Sequence, residues 1–196
     1  MKNLPVFLLS FFFFAAAAQK TTDVQLNNRL KEYFAFSKNL ELDKAMEYMH
    51  PKLFTIAPKE QIIASMEAAF NQPQMSFSFD SMSVAAISPI YKTGTESYRK
   101  VDYYMSMNIT LSDSLDLKIP ELAAAMQASF KTGFPGKKIV IDTNTNSINV
   151  KGNELLFAIK DPKVAEWMFL GYDRNNPQLI KLLFPKAMRQ HFKLLP

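Results

Sequence analysis

The chain has 196 residues, no cysteine and a formal net charge of +5. Without cysteine it can form no disulfide, no thiolate nucleophile and no cysteine-based zinc site. Its basic residues are scattered, apart from the adjacent pairs Arg99-Lys100 and Lys137-Lys138. Nucleic-acid-binding proteins cluster such residues in a stripe, so we expect no nucleic-acid partner and attribute the charge to solubility.

The first eighteen residues have the pattern of a secretory signal peptide. Lys2 is followed by an apolar run, Leu4 to Phe14, and then by four alanines. The run is shorter than the roughly 20 residues that cross a membrane, and the chain has no cysteine for a lipid anchor. Ala16 and Ala18 predict cleavage before Gln19. We therefore predict a soluble, exported protein, periplasmic or secreted, in which residues 19–196 form one domain without a stable membrane anchor.

Helical periodicity predicts three helices at the start of this domain. Apolar residues recur at helical spacing over 24–36 and again over 43–49. His50-Pro51 ends the second helix, because a residue before proline avoids the helical region. Residues 53–56 are expected to be a short extended piece. Pro58 is suited to the first position of a third helix, which ends before Pro73.

Alternating apolar and polar residues then predict strands. Between residues 75 and 79 the apolar residues have odd numbers, whereas between residues 82 and 86 the apolar residues have even numbers. Such a reversal within one strand indicates a β-bulge. Residues 91–96, with Gly94, are predicted to be a turn. Residues 101–111 alternate most regularly and predict a half-buried antiparallel strand.

The rest of the chain predicts a meander interrupted by one helix. Leu122, Met126 and Phe130 recur at four-residue spacing, which predicts a helix over 120–131. Helices starting at Asn176 and Pro185 end the chain. The predicted fold is α+β, with N-terminal helices packed on a curved, bulged antiparallel sheet, an inserted helix and a C-terminal helical tail. The remaining strands are expected at 138–142, 147–151, 154–160 and 167–170.

Several local strings resemble the nuclear transport factor 2-like superfamily. They are residues 43–54 and 59–63 near the start, and 155–161 and 167–170 near the end. The resemblance spans roughly residues 26–170 and is to exported bacterial members without an assigned activity. It implies a cone, in which a curved sheet wraps a long helix around a cavity open at one end. The helices at 120–131 and after Asn176 depart from a minimal cone.

Some relatives use such a cavity for acid/base catalysis, which needs a carboxylate or histidine together with a tyrosine. On the most regular strand, Asp102 and Tyr104 share one face and Tyr103 lies on the other. The pair is either catalytic or part of a solvated outer face. His50, at a helix end, is either a base or a cap of that end.

Other relatives bind small apolar ligands in the cone. Tyr103, Met105, Met107 and Trp167 are candidates to line it, and the alternative for Trp167 is a core anchor. The apolar stripe of the inserted helix consists of Leu122, Met126 and Phe130. It has three possible roles: a lid over the mouth of the cone, a surface that binds a partner protein, or part of the hydrophobic core.

No motif for a cofactor or metal is present. His50 and His191 are far apart and have no paired carboxylates in the sequence, so no metal site is expected. The leading hypothesis is a non-catalytic exported module that binds a small apolar ligand or a protein. The alternatives are an acid/base enzyme of the isomerase or dehydratase type and a structural protein that forms a homodimer.

Overall fold

The computed structural model of the protein describes residues 23–194, so the predicted signal peptide lies outside the described part. Three α-helices and one 3₁₀ helix precede the sheet, one α-helix interrupts it and two follow it. The helices are α1 Val24–Lys38, α2 Leu42–Met46, a 3₁₀ helix Pro51–Thr55, α3 Lys59–Phe70, α4 Pro120–Gly133, α5 Pro177–Leu183 and α6 Lys186–His191. The strands are β1 Met75–Ile87, β2 Tyr91–Thr93, β3 Glu96–Leu111, β4 Lys138–Asp142, β5 Ser147–Lys160 and β6 Met168–Gly171.

All six strands form one antiparallel sheet. The order is β1-β3-β5-β4, while β2 pairs with β3 and β6 pairs with β5. The two longest strands, β3 and β5, are therefore central. The predicted α+β class, with N-terminal helices, a curved bulged sheet, an inserted helix and a helical tail, is confirmed.

Helices cover the two faces of the sheet unequally. Val101 and Leu156, which are cross-strand partners, belong to a core cluster that includes α1 and α2. At the other end of the same inner face, Ile109 and Ile148 pack beneath α4. Tyr98 and its partner Ile159 instead face α5 and α6 on the outer face. The rest of the outer face carries polar side chains and forms a groove.

Three local predictions are corrected by the structure. Residues 53–56 lie mostly in the 3₁₀ helix, which Pro51 begins. Residues 91–93 form a short strand, so the turn is confined to the region of Gly94, whose φ of 60° favours glycine. Residues 147–160 are one strand, because Gly152 pairs with Met105 of β3 and does not break the ladder.

The bulge expected in β1 is confirmed. The register against β3 shifts between Phe79 and Ser81, where the alternation of apolar residues reverses. A second shift, between Val84 and Ala86, has no such reversal in the sequence. Among residues 23–194, no helix is long and apolar enough to cross a membrane.

Candidate functional sites

The open part of the outer face is a polar groove of about 530 Å³. Alternate residues of β3 and β5 form its floor, because successive side chains of a strand point to opposite faces. We call this feature the outer-face groove. Its lining residues are Asp80, Ser81, Tyr104, Ser106, Asn108, Thr110, Val140, Asp142, Thr145, Ser147, Asn149 and Lys151.

A hydrogen-bonded triad lies in the floor of this groove. The Asp80 carboxylate accepts from the Ser106 hydroxyl at 3.0 Å and from the Asn149 amide at 3.1 Å. The same amide nitrogen lies 3.3 Å from the Ser106 hydroxyl. The Asn149 Oδ1 is buried and accepts from no donor in residues 23–194. Buried acceptors normally have a partner, and this oxygen has none among the described residues.

The rim of the groove is also ordered by local hydrogen bonds. Asp142 accepts from the backbone N–H groups of Asn144 and Thr145, which lowers the pKa of its carboxyl and keeps it ionised. The hydroxyls of Thr145 and Ser147 lie 2.8 Å apart. These groups present acceptors and donors in fixed positions to anything that enters the groove.

The catalytic candidates do not meet in one place. Tyr104 lines the outer-face groove. Asp102, two residues along β3, forms an ion pair with Lys100 at 3.1 Å, and its side chain is 37% exposed. His50 is buried at 3% exposure, next to the 3₁₀ helix. The arrangement therefore supplies no acid/base pair with His50 at the groove.

The residues expected to line a cone are packed in the interior. Tyr103 lies over Phe34 of α1, with ring centroids 5.0 Å apart, and burial raises the pKa of its hydroxyl. Met105, Met107 and Trp167 are buried core residues. None of these four side chains lines the outer-face groove or the second groove described below.

The stripe of α4 lies against the inner face of the sheet. Met126 and Phe130 pack on the cluster that contains Ile109 and Ile148. Leu122 is half-buried. Two of the three residues named as a lid thus contact the core directly.

A second groove, of about 400 Å³, lies between α1 and β1. Phe34, Met82 and Val84 give it an apolar floor, and Lys31 and Lys38 stand at its edge. Its chemistry differs from that of the outer-face groove, since it would favour an apolar or amphiphilic molecule.

A third feature is a partly buried polar cluster where β3 begins and β5 ends. Backbone hydrogen bonds join Phe169 of β6 to Tyr48 and His50, which places His50 against the sheet. Glu96 begins β3, and Asp161 follows the last residue of β5. One ring nitrogen of His50 and one carboxylate oxygen each of Glu96 and Asp161 lie within 4.8 Å of one another. We call these three residues the His50 cluster.

Hydrogen bonds define the protonation of this cluster. The Nδ1 of His50 accepts from the Lys52 backbone N–H at 3.2 Å, so it carries no proton. Burial, and secondarily the Lys52 charge, lowers the pKa of His50 and favours the neutral ring. Its Nε2 is buried and has no hydrogen-bond partner in the described chain.

The Glu96 carboxylate is held from two sides. The Lys52 ammonium lies 2.6 and 2.9 Å from its two oxygens. The buried Tyr98 hydroxyl also donates to it, and burial together with this bond raises the pKa of Tyr98. His50 could be singled out from the sequence, whereas Glu96 and Asp161 could not. Both stand at strand ends, and their meeting depends on the pairing of β3 with β5.

A comparison with protein-family models finds no match to this chain, and a comparison with curated proteins finds none either.

Proposed function

We propose that the chain is an exported, non-catalytic binding module whose ligand is a small, hydroxyl-rich molecule such as a mono- or disaccharide. The ligand would bind in the outer-face groove. The main support for this proposal is that polar side chains from four strands line one groove of about 530 Å³. Ligand sites in proteins have volumes of roughly 300–1,000 Å³ and contain a few fixed polar groups.

The lining favours a polar ligand over the apolar one expected from the resemblance. Asp80 and Asp142 line the groove and offer carboxylate oxygens to sugar hydroxyls. Lys151 and the serine hydroxyls offer donors. The Tyr104 ring offers an apolar surface for the C–H face of a sugar ring.

Export and the nuclear transport factor 2-like relationship are parts of the same proposal. Export is supported by the signal pattern of residues 1–18. The family relationship is supported by three helices ahead of a curved antiparallel sheet. Fold alone does not give function, so the ligand class is argued from the groove.

A titration followed by amide NMR tests the proposal with maltose, glucose and, as an apolar probe, dodecanoate. We expect the sugars to shift the amide signals of groove residues such as Tyr104 and Asn149. Asp80→Asn should weaken sugar binding about tenfold, because a hydrogen bond to a charged group contributes roughly 1.5 kcal/mol or more.

Asp102→Asn is the matched control, since Asp102 lies on the same face of β3 but outside the groove. It should leave sugar binding unchanged. Binding of dodecanoate alone, with shifts around Phe34 and Met82, would instead place the ligand in the second groove and contradict the proposal.

A further inference from the structure

We propose that the second groove, between α1 and β1, is a binding site for a single-chain anionic amphiphile of the fatty-acid class. This groove shares no lining residue with the outer-face groove, so the site does not depend on the function proposed for that groove. Its volume of about 400 Å³ lies within the range of roughly 300–1,000 Å³ that small-molecule sites occupy.

The floor of the second groove is apolar and is supported by the core behind it. The ring centroid of Phe34 lies 5.0 Å from that of Tyr103, and Met82 packs against the same core cluster. Val84 is 41% exposed, which leaves a large aliphatic side chain open to solvent beside them. An alkyl chain lying along this floor would remove apolar surface from water, and this favours binding.

Two β-bulges flank the part of β1 that lines the groove. The register against β3 shifts between Phe79 and Ser81 and again between Val84 and Ala86. Residues 82–84, which line the groove, lie between the two shifts. Bulges bend a strand and redirect its side chains, and they are frequent next to functional sites. The second bulge, which the apolar pattern did not predict, lies at one end of the groove.

The charged side chains at the groove are both cationic. Lys31 and Lys38 lie about two turns apart along α1, and the lining contains no carboxylate. Neither ammonium group forms an ion pair within residues 23–194. Asn27, about one turn before Lys31, adds an amide donor. A negatively charged head group is therefore attracted to this edge, whereas a cationic one is repelled.

Two probes with the same alkyl chain test the sign of this charge. Dodecanoate and dodecyltrimethylammonium, each kept below its micelle concentration, are titrated into ¹⁵N-labelled protein at low salt. Dodecanoate should shift the amide signals of Phe34, Met82 and Val84. It should bind at least about tenfold more tightly than the cation, because the lysines attract one and repel the other. Equal affinities, or no shift at these amides with dodecanoate, would overturn the proposal.

A double variant tests the two lysines. Lys31→Gln with Lys38→Gln should weaken dodecanoate binding about tenfold and remove the preference over the cationic probe. Lys92→Gln with Lys118→Gln is the matched control, because it changes the net charge equally at two exposed lysines outside both grooves. The control should bind like the wild type. Equal weakening in the two double variants would mean that only the net charge acts, and it would contradict the proposed site.

A second pair of variants tests the apolar floor. Val84→Ser should weaken dodecanoate binding about fivefold, since less apolar surface is covered by the chain. Ile90→Ser is the control, because Ile90 is 45% exposed, similar to Val84, and lies outside the groove. It should leave binding unchanged. An equal effect of both variants would indicate adsorption to any exposed aliphatic side chain and would overturn the proposal.

The two binding proposals fail separately in these titrations. Sugar shifts at Tyr104 and Asn149 without any dodecanoate binding would overturn the fatty-acid site alone. Dodecanoate shifts at Phe34 and Met82 support this site whether or not the sugars bind in the outer-face groove.

Discussion

Tyr103 shows how one side chain couples stability to alkaline pH. Its ring packs on Phe34, and burial raises the pKa of its hydroxyl above the ordinary value near 10. In the unfolded chain the tyrosine ionises at that ordinary value. The unfolded state therefore binds fewer protons than the folded state as the pH rises above about 10, and stability is lost.

We predict that Tyr103→Phe makes the protein less sensitive to alkali. The free energy of unfolding of the wild type should fall with pH above about 10, with Tyr103 contributing up to about 1.4 kcal/mol per pH unit. The variant should lose that part of the slope. Urea unfolding at several pH values between 9 and 11 measures it, and an unchanged slope would show that Tyr103 ionises equally in both states.

Asp23 links the start of α1 to Trp167, the residue before β6, through two hydrogen bonds. Its Oδ1 accepts from the Leu26 backbone N–H at 3.0 Å, which caps the helix. Its Oδ2 accepts from the indole N–H of Trp167 at 3.0 Å. Trp167 is 2% exposed, so losing Asp23 would leave this donor buried without its partner.

Two substitutions of Asp23 separate these roles. Asp23→Ala should lower the free energy of unfolding by about 2–3 kcal/mol, because it removes the cap and the partner of Trp167. Asp23→Ser keeps a capping hydroxyl and should cost about half as much. Denaturant unfolding followed by Trp167 fluorescence measures both. Equal losses in the two variants would mean that the cap contributes nothing.

At the scale of elements, helix α5 of the C-terminal tail offers a matched pair of leucines. Leu183 is buried against Phe157 and Tyr98, whereas Leu182 is 68% exposed. Leu183→Ala should destabilise the protein by about 2–4 kcal/mol through lost burial and a cavity, and Leu182→Ala by less than about 0.5 kcal/mol. Thermal or urea unfolding distinguishes them, and equal effects would mean that the tail is not part of the core.

Elements defined by their own periodicity could be predicted, whereas those defined by a partner could not. The apolar spacing over 24–36 and the reversal within 75–86 are local patterns, and each appears in the structure as expected. Residues 147–151 and 154–160 were expected to be two strands, but the pairing of Gly152 with Met105 joins them in β5. The pairing of β3 with β5 also brings Glu96 and Asp161 close to His50. These carboxylates are distant from His50 in the sequence, so the cluster could not be predicted from it.

At the scale of the whole molecule, β3 and β5 are shared by the three core clusters. One cluster lies under α1 and α2, the second under α5 and α6, and the third under α4. All three include residues of both strands. Because no cluster can lose its strands without exposing the others, we expect residues 23–194 to unfold as one cooperative unit.

A substitution in one cluster, observed from another, tests this cooperativity. Ile148 is fully buried in the cluster under α4, and Trp167, the only tryptophan, lies in the cluster under α1. Ile148→Ala should cost about 2–4 kcal/mol and move the Trp167 fluorescence transition to lower urea, with an unchanged slope and in step with circular dichroism. If instead Trp167 keeps its wild-type midpoint while part of the dichroism is lost earlier, the α4 end of the sheet unfolds independently.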